Sequence, residues 1–374
     1  MVNLVPKNIS PTTLSYKSLR FVGLLNQEGR PWSYLITAYH FIIMKLLVVT
    51  IVLQLFWTTP DLPDFIQALS WITICSHVYS KLVNMFCHQT EVRQMLDRIE
   101  EIRNEIYQDY KYQHILIDSD GLLIKLIEYY CTFFVSYPVI SLAMNLVVDY
   151  VTGSEEPHLI LPVWMPWNMK EFWPYLGGML YVTIFPITTT FIYAAICIFQ
   201  FTFTFQISAF VKVLQAKLEG DRPNNQVYRQ HAEIIRLLQQ YNDLFSGQLY
   251  FEILASSVQP CGFGYTLIKI IKRNDPGAFD LIYKILLALS APLTVCACGQ
   301  VIRTQFEKLH TSTYMGKWYE EKPSIRMDLV MMMKITAIPK SLSFRRYVIF
   351  DFVCYASVLQ GVYSYLMMIS QFDL

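Results

Sequence analysis

Four ionisable side chains stand inside long apolar runs of this 374-residue sequence: Lys45, Glu128, Glu252 and Asp351. A charge in hydrocarbon is costly, so such groups pair with one another, line wet cavities or mark functional sites. Glu128 and Asp351 lie near one end of their runs, where water or a soluble partner suffices. Lys45 is central and must face neighbouring helices or stretch along its alkyl stem. Proton-coupled transport would use such residues, but it also wants paired broken spans in two repeated halves, and none are evident. Enzyme chemistry has less to build on. The sequence offers no glycine-rich phosphate loop, metal-ligand cluster or nucleophile–base spacing, so no catalytic residue, metal or cofactor is expected. His231 and His310 read as packing or surface residues. The eight cysteines sit in or beside apolar runs as buried thiols, and a net charge of +1 gives no reason to expect nucleic acid.

A second constellation lies near the carboxyl end. Gly361, Tyr365, Met368 and Phe372 recur at steps of 4, 3 and 4, one face of a helix. Such side chains from several copies, meeting on an axis, make a hydrophobic constriction that stops ions by dewetting. A rotation would bring Gln360, Ser364 and Gln371 to that axis, where they can solvate a cation, and Asp373 would add negative potential at the mouth. Ordinary helix packing accounts for the same stripe.

These residues need long apolar elements to hold them. The chain is 54% apolar and only 16% charged, against about 25% charged residues in a soluble domain. Its apolar runs reach the roughly 20 residues that cross a bilayer core of about 30 Å. Seven are expected: 34–57, 65–86, 122–148, 175–210, 249–271, 281–306 and 347–372. The second carries Gln67, Ser70, Thr73, Ser76, His77 and Ser80, and the fifth is interrupted by Pro260, Gly262 and Gly264. The fourth is longer than a bilayer is thick, so it tilts strongly or continues beyond the membrane.

Basic residues set the orientation. With the amino terminus inside, inner segments hold 24 of the 30 Lys and Arg: four in 1–33, six in 81–125, five in 212–236 and nine in 303–346. Five fall outside: Lys170, Lys269, Lys272, Arg273 and Lys284. Lys7, Lys17, Arg20 and Arg30 precede any apolar core, so no signal peptide is expected. The sequon Asn8-Ile9-Ser10 is then cytoplasmic and unglycosylated. The expected fold is an all-α polytopic membrane protein of seven transmembrane helices, amino terminus cytoplasmic and carboxyl terminus extracellular. That orientation is the reverse of a G-protein-coupled receptor. Val227, His231, Ile234, Leu238, Tyr241 and Phe245 form one helical stripe before the fifth span. Ile325, Leu329, Met332 and Ile335 form another, closed by Pro339. Both need a partner surface, which a cytoplasmic helical layer between subunits or the inner leaflet would supply.

The residues also resemble a known family. Cys296-Ala297-Cys298-Gly299-Gln300-Val301-Ile302, then Tyr314 to Trp318, is similar to paired motifs of the insect odorant receptors. Pro162, Trp164, Pro166 and Trp167 after the third span are similar too, as are His231, Ile235, Leu238 and Phe245. Ala356 to Leu359, then Tyr365 and Gln371, resembles the tail of the odorant receptor co-receptor. That subunit is longer through an insertion between its fourth and fifth spans, whereas here Glu219 to Tyr228 closes the gap in about ten residues. The chain therefore looks like an odorant-tuning subunit. Ser364-Tyr365 followed by Gln371-Phe372 also resembles a gustatory receptor signature, which stays as the alternative.

The resemblance implies a tetrameric, ligand-gated, non-selective cation channel formed with the co-receptor. It would sit in the plasma membrane of olfactory dendrites, in contact with lipid and permeating cations. Seventh helices line its pore, and Met368 and Phe372 match the gate. A four-part layout follows: arm 1–33, bundle 34–306 with the odorant pocket in its outer half, cytoplasmic anchor 307–346 and pore helix 347–374. Volatile ligands are small and mostly apolar, so their site should be lined by aromatic and Met residues with a few polar groups. The outer half offers Trp71, Cys75 and Val78; Tyr137, Ile140 and Met144; Phe185, Thr188, Phe191 and Tyr193; and Tyr283 and Leu287. Tyr283 is the preferred single contact. Core packing is the competing role for each.

Overall fold

A computed structural model of the chain describes residues 10–25, 31–58, 61–152, 161–167, 171–220, 225–272, 277–316 and 318–371. Seven long helices make the bundle: α2 (Pro31–Trp57), α3 (Leu62–Cys87), α5 (Gln113–Thr152), α6 (Phe172–Gly220), α7 (Asn225–Lys272), α8 (Ala278–Met315) and α10 (Phe352–Gln371). Three shorter ones, α1 (Pro11–Phe21), α4 (Gln89–Tyr107) and α9 (Pro323–Thr336), gather at one end. Five of the seven, α2, α5, α6, α8 and α10, are apolar and long enough to span a membrane by composition alone. The other two, α3 and α7, pack on each other and turn their polar residues inward, among them Ser70, His77 and Lys81 against Gln248, Glu252, Ser256 and Gln259.

The short helices form because each has a face to bury. In α4, Val92, Met95, Leu96, Ile99, Ile102 and Ile106 are all buried on one stripe, the 3.6-residue pattern of an amphipathic helix. In α1, Ser10 caps the first turn by accepting from the Thr13 amide at 3.2 Å, and Pro11 occupies the first helical position where no donor is lost. Arg103 of α4 donates to both oxygens of Asp120 on α5, at 3.0 and 2.5 Å. Gln206 of α6 donates to the same carboxylate at 2.8 Å. This buried knot, with Arg98 of α4 paired to Glu233 of α7, fastens the short-helix end of the bundle.

The fourth apolar run continues as helix: α6 reaches Gly220, and every residue from Ile192 to Val211 is buried except the half-buried Phe205. The seventh run is shorter than expected. Residues 343–349 make a hairpin, β1 (Ser343–Phe344) antiparallel to β2 (Val348–Ile349), with Ser343 opposite Ile349. Arg345 and Arg346 take φ of 48° and 61° at its turn, the pair of left-handed residues that a tight hairpin demands. Tyr347, expected inside the span, is 90% exposed at this turn. Asp351 then starts α10: one oxygen accepts from the Cys354 amide at 3.0 Å, and the other from Arg303 of α8 at 2.6 Å. Phe372 and Asp373 lie outside the described residues.

Candidate functional site

Two glycine and proline irregularities shape the middle of the bundle. A Cβ on Gly262 of α7 would stand 1.9 Å from Ser70 Oγ and 3.2 Å from the Ile66 carbonyl of α3, so only glycine permits this approach. The close crossing brings Trp71 edge-on to Phe263, ring centroids 5.9 Å apart at 74°. Pro186 interrupts the amide ladder of α6, and the Thr190 hydroxyl donates to its carbonyl at 2.6 Å. Between these crossings α3, α5, α6, α7 and α8 line a cavity of about 100 Å³.

The cavity wall is largely apolar. Trp71, Ile74, His77 and Val78 come from α3, Phe134 and Tyr137 from α5, and Phe185, Pro186, Thr189, Thr190 and Tyr193 from α6. From α7 come Gln259 and Phe263, and from α8 Lys284, Leu287, Ala288 and Ala291. Phe134 stacks on Tyr193 with centroids 4.9 Å apart, which fixes two sides of the space.

Both ends of the cavity carry buried charge. Toward the short-helix end, Lys81 reaches the two oxygens of Glu252 at 2.9 and 2.8 Å. The Tyr193 hydroxyl donates to the same carboxylate at 2.9 Å, and His77 Nε2 stands 3.5 Å away. The Lys81 ammonium also lies 4.2 Å from the Tyr193 ring centre. At the opposite end Lys284 pairs with Asp280, one helical turn earlier, at 2.5 Å. Ser141 of α5 donates to Asp280 at 2.7 Å, and the Lys284 ammonium sits 5.4 Å from the Trp71 ring centre. Each carboxylate therefore has a cation and a hydroxyl donor, which is what a charge removed from water requires.

Six of the twelve expected contacts line this cavity: Trp71, Val78, Tyr137, Phe185, Tyr193 and Leu287. The other six do not. Tyr283 stands behind the wall, stacked on Tyr137 at 5.7 Å and 8°, its hydroxyl donating to the Phe133 carbonyl at 2.7 Å. Cys75 faces a separate groove shared with Lys45, Tyr79 and Phe251. Phe191 is 40% exposed and meets Phe21 of α1. Thr188, Ile140 and Met144 sit outside the lining. The orientation count put Lys284 in an outer segment, yet it is 5% exposed inside the bundle. The sequence reading also missed Gln259 and Thr189. For Gln259 a signal existed, since it directly precedes the Pro260 break.

At the other candidate site, α10 packs on α7 and α8 and leaves the rest of its surface bare. Of Phe352–Ile369 only Val358 is fully buried, while Gln360, Ser364, Tyr365, Met368 and Gln371 are all exposed. No atom lies within 4 Å of a Cβ placed on Gly361. Contacts to the cavity helices run through Cys261 Sγ, 3.5 Å from the Val362 carbonyl, and Tyr355, which donates to Leu289 at 3.4 Å.

A family model described as 7tm Odorant receptor matches residues 61–363. Among curated relatives, putative odorant receptor 19b of Drosophila melanogaster is 22% identical over 241 residues, 60% of this chain and 61% of its own length. The chain thus matches about three fifths of that relative. Odorant receptor 85c of the same fly is 23% identical over 355 residues, 86% of this chain and 85% of its own. In fold, the chain is similar to the insect olfactory receptor OR5 from Machilis hrabei solved in complex with eugenol. The TM-score is 0.76 at 13% identity, over 97% of this chain and 100% of that one. These relatives are receptors, not enzymes. With a family match across most of its length and an all-helical architecture shared from end to end, the chain belongs to the insect odorant receptor family.

Proposed function

We propose that this receptor is the odorant-binding subunit of a ligand-gated, non-selective cation channel, assembled as a tetramer with the odorant receptor co-receptor. Its setting is the plasma membrane of olfactory dendrites, with the short-helix end cytoplasmic. One observation carries the reading: α7 and α8 both line the cavity and hold α10. A volatile molecule enters the cavity, and α10 supplies one stave of a shared pore. The bare face of α10 bears Tyr365 and Met368 for the closed constriction, and Gln360, Ser364 and Gln371 for the open path. A ligand that fits the cavity better when α7 and α8 have shifted drives opening by that difference in affinity alone. Residues 307–346, with α9 exposing Met327, Met331 and Ile335, serve as the cytoplasmic anchor between subunits.

The test is whole-cell recording from cells expressing this chain with and without the co-receptor, under a panel of volatiles and with G-protein signalling blocked. Fast cation currents that require both subunits are expected. Currents from this chain alone would favour a self-sufficient gustatory type of receptor, and currents lost under the block would overturn the channel.

A further inference from the structure

The polar atoms of the cavity wall are weighted toward donors that have nothing to donate to. Trp71 is 3% exposed and Gln259 is 3% exposed. Both line the cavity, and Trp71 Nε1 and Gln259 Nε2 are buried without a hydrogen-bond partner among the described residues. Thr189 Oγ1, on the same wall, is in the same condition. An indole N–H can only donate, and a buried donor left unmade costs about 1–3 kcal/mol. The wall's carboxylate neighbours do not relieve it, because Glu252 is held by Lys81 and Tyr193 and Asp280 by Lys284 and Ser141.

From this donor-rich, carboxylate-satisfied lining we infer that the ligand is a neutral molecule carrying an oxygen acceptor, a ketone, aldehyde, ester or ether on a small apolar frame. The inference rests on the cavity being the odorant site. Water can serve the orphan donors while the cavity is unliganded. A hydrocarbon that displaces it strands them, whereas a carbonyl replaces the lost bonds. An alkylammonium is disfavoured because its charge must leave water, and both carboxylates beside the cavity are already paired, Glu252 with Lys81 and Asp280 with Lys284. The frame is small: a cavity of about 150 Å³ admits benzene, and this one is of that order.

Two isosteric series test the assignment in cells expressing this chain with the co-receptor. They are acetophenone, cumene and 1-phenylethylamine, and heptan-2-one, 2-methylheptane and 2-aminoheptane. The ketone of a series is expected to act at concentrations at least tenfold below its hydrocarbon, with the amine weakest. Trp71→Phe, Gln259→Leu and Thr189→Val are each expected to narrow the ketone-to-hydrocarbon ratio several-fold. A ratio taken within one variant is insensitive to its expression, and if Trp71→Phe does not reach the surface the other two carry the test. Equal potency of ketone and hydrocarbon, a preferred amine, or an unchanged ratio in every variant overturns the acceptor assignment. Silence toward all six compounds in surface-expressed complexes overturns the odorant-pocket reading beneath it.

Discussion

The costliest residues in the bundle are Lys81 and Glu252, at 0% exposure each, and they are tolerable only together. Removing one partner of such a pair costs about 3–5 kcal/mol, because the survivor is left charged and unsolvated. Lys81→Met is therefore expected to lower the melting temperature of detergent-purified protein sharply, and Lys81→Met with Glu252→Leu to recover most of the loss. A double variant no more stable than the single would show that the pair is not what holds this region. His231 precedes the span expected at 249–271 and makes a pH prediction. Burial, then the nearby Lys340, pushes its pKa down to about 4 from 6.5. The folded state thus holds fewer protons than the unfolded one between those values. Stability is full above pH 6.5 and falls as pH drops from 6.5 toward 4. A flatter acid melting profile is expected for His231→Gln, and an unchanged profile would assign the acid sensitivity elsewhere. At this scale the sequence was half legible. Trp71, Tyr137 and Tyr193 could be placed by their depth along a span, but depth leaves rotation about the helix axis open. Tyr283 and Phe191 are expected there on depth alone and turn away from this cavity, while Lys284 looks like a loop charge until Asp280 is seen one turn away.

Between elements, the closest approaches are set by glycines. A Cβ on Gly299 of α8 would meet the Phe350 carbonyl oxygen at 1.8 Å and its carbon at 2.9 Å. Both are backbone atoms in the link between β2 and α10, so they cannot swing aside as a side chain would. Gly299→Ala is expected to push α10 off α8 and to destabilise by about 1–3 kcal/mol, the usual cost of overpacking. Gly177→Ala is the control: nothing lies within 4 Å of its Cβ, and replacing glycine inside a helix should gain about 0.5–1 kcal/mol. Opposite shifts in melting temperature would establish the contact, and equal ones would deny it. The helices themselves were readable because apolar length is a physical requirement written plainly in sequence. The hairpin at 343–349 was not, because its turn uses two consecutive arginines, Arg345 and Arg346, at positions where Asn and Gly give the signal. The polar content of α3 and α7 misleads a hydropathy count for a related reason. Those helices hide their polar faces in each other, which no single-helix measure can register.

For the whole molecule, the asymmetry of α10 carries the argument. An apolar helix with one fully buried residue among eighteen has more surface than its own bundle can cover. In a tetramer with a central pore that surface divides between the axis and the neighbouring subunits, and the side turned toward α7 and α8 stays closed. Met368 is 49% exposed and Val358 is 8% exposed. A cysteine at each position separates the two environments within one helix. A membrane-impermeant methanethiosulfonate applied from outside should cut odorant-evoked current in Met368→Cys complexes, and faster while odorant is present, since withdrawal of the constriction opens the path. Val358→Cys complexes should be unaffected by the same reagent, with or without odorant. Modification at Val358 and protection at Met368 would mean that α10 presents its other face to the pore. The route from cavity to gate would then have to run through a neighbouring subunit, because α7 and α8 would no longer lie behind the pore-lining surface they are proposed to move.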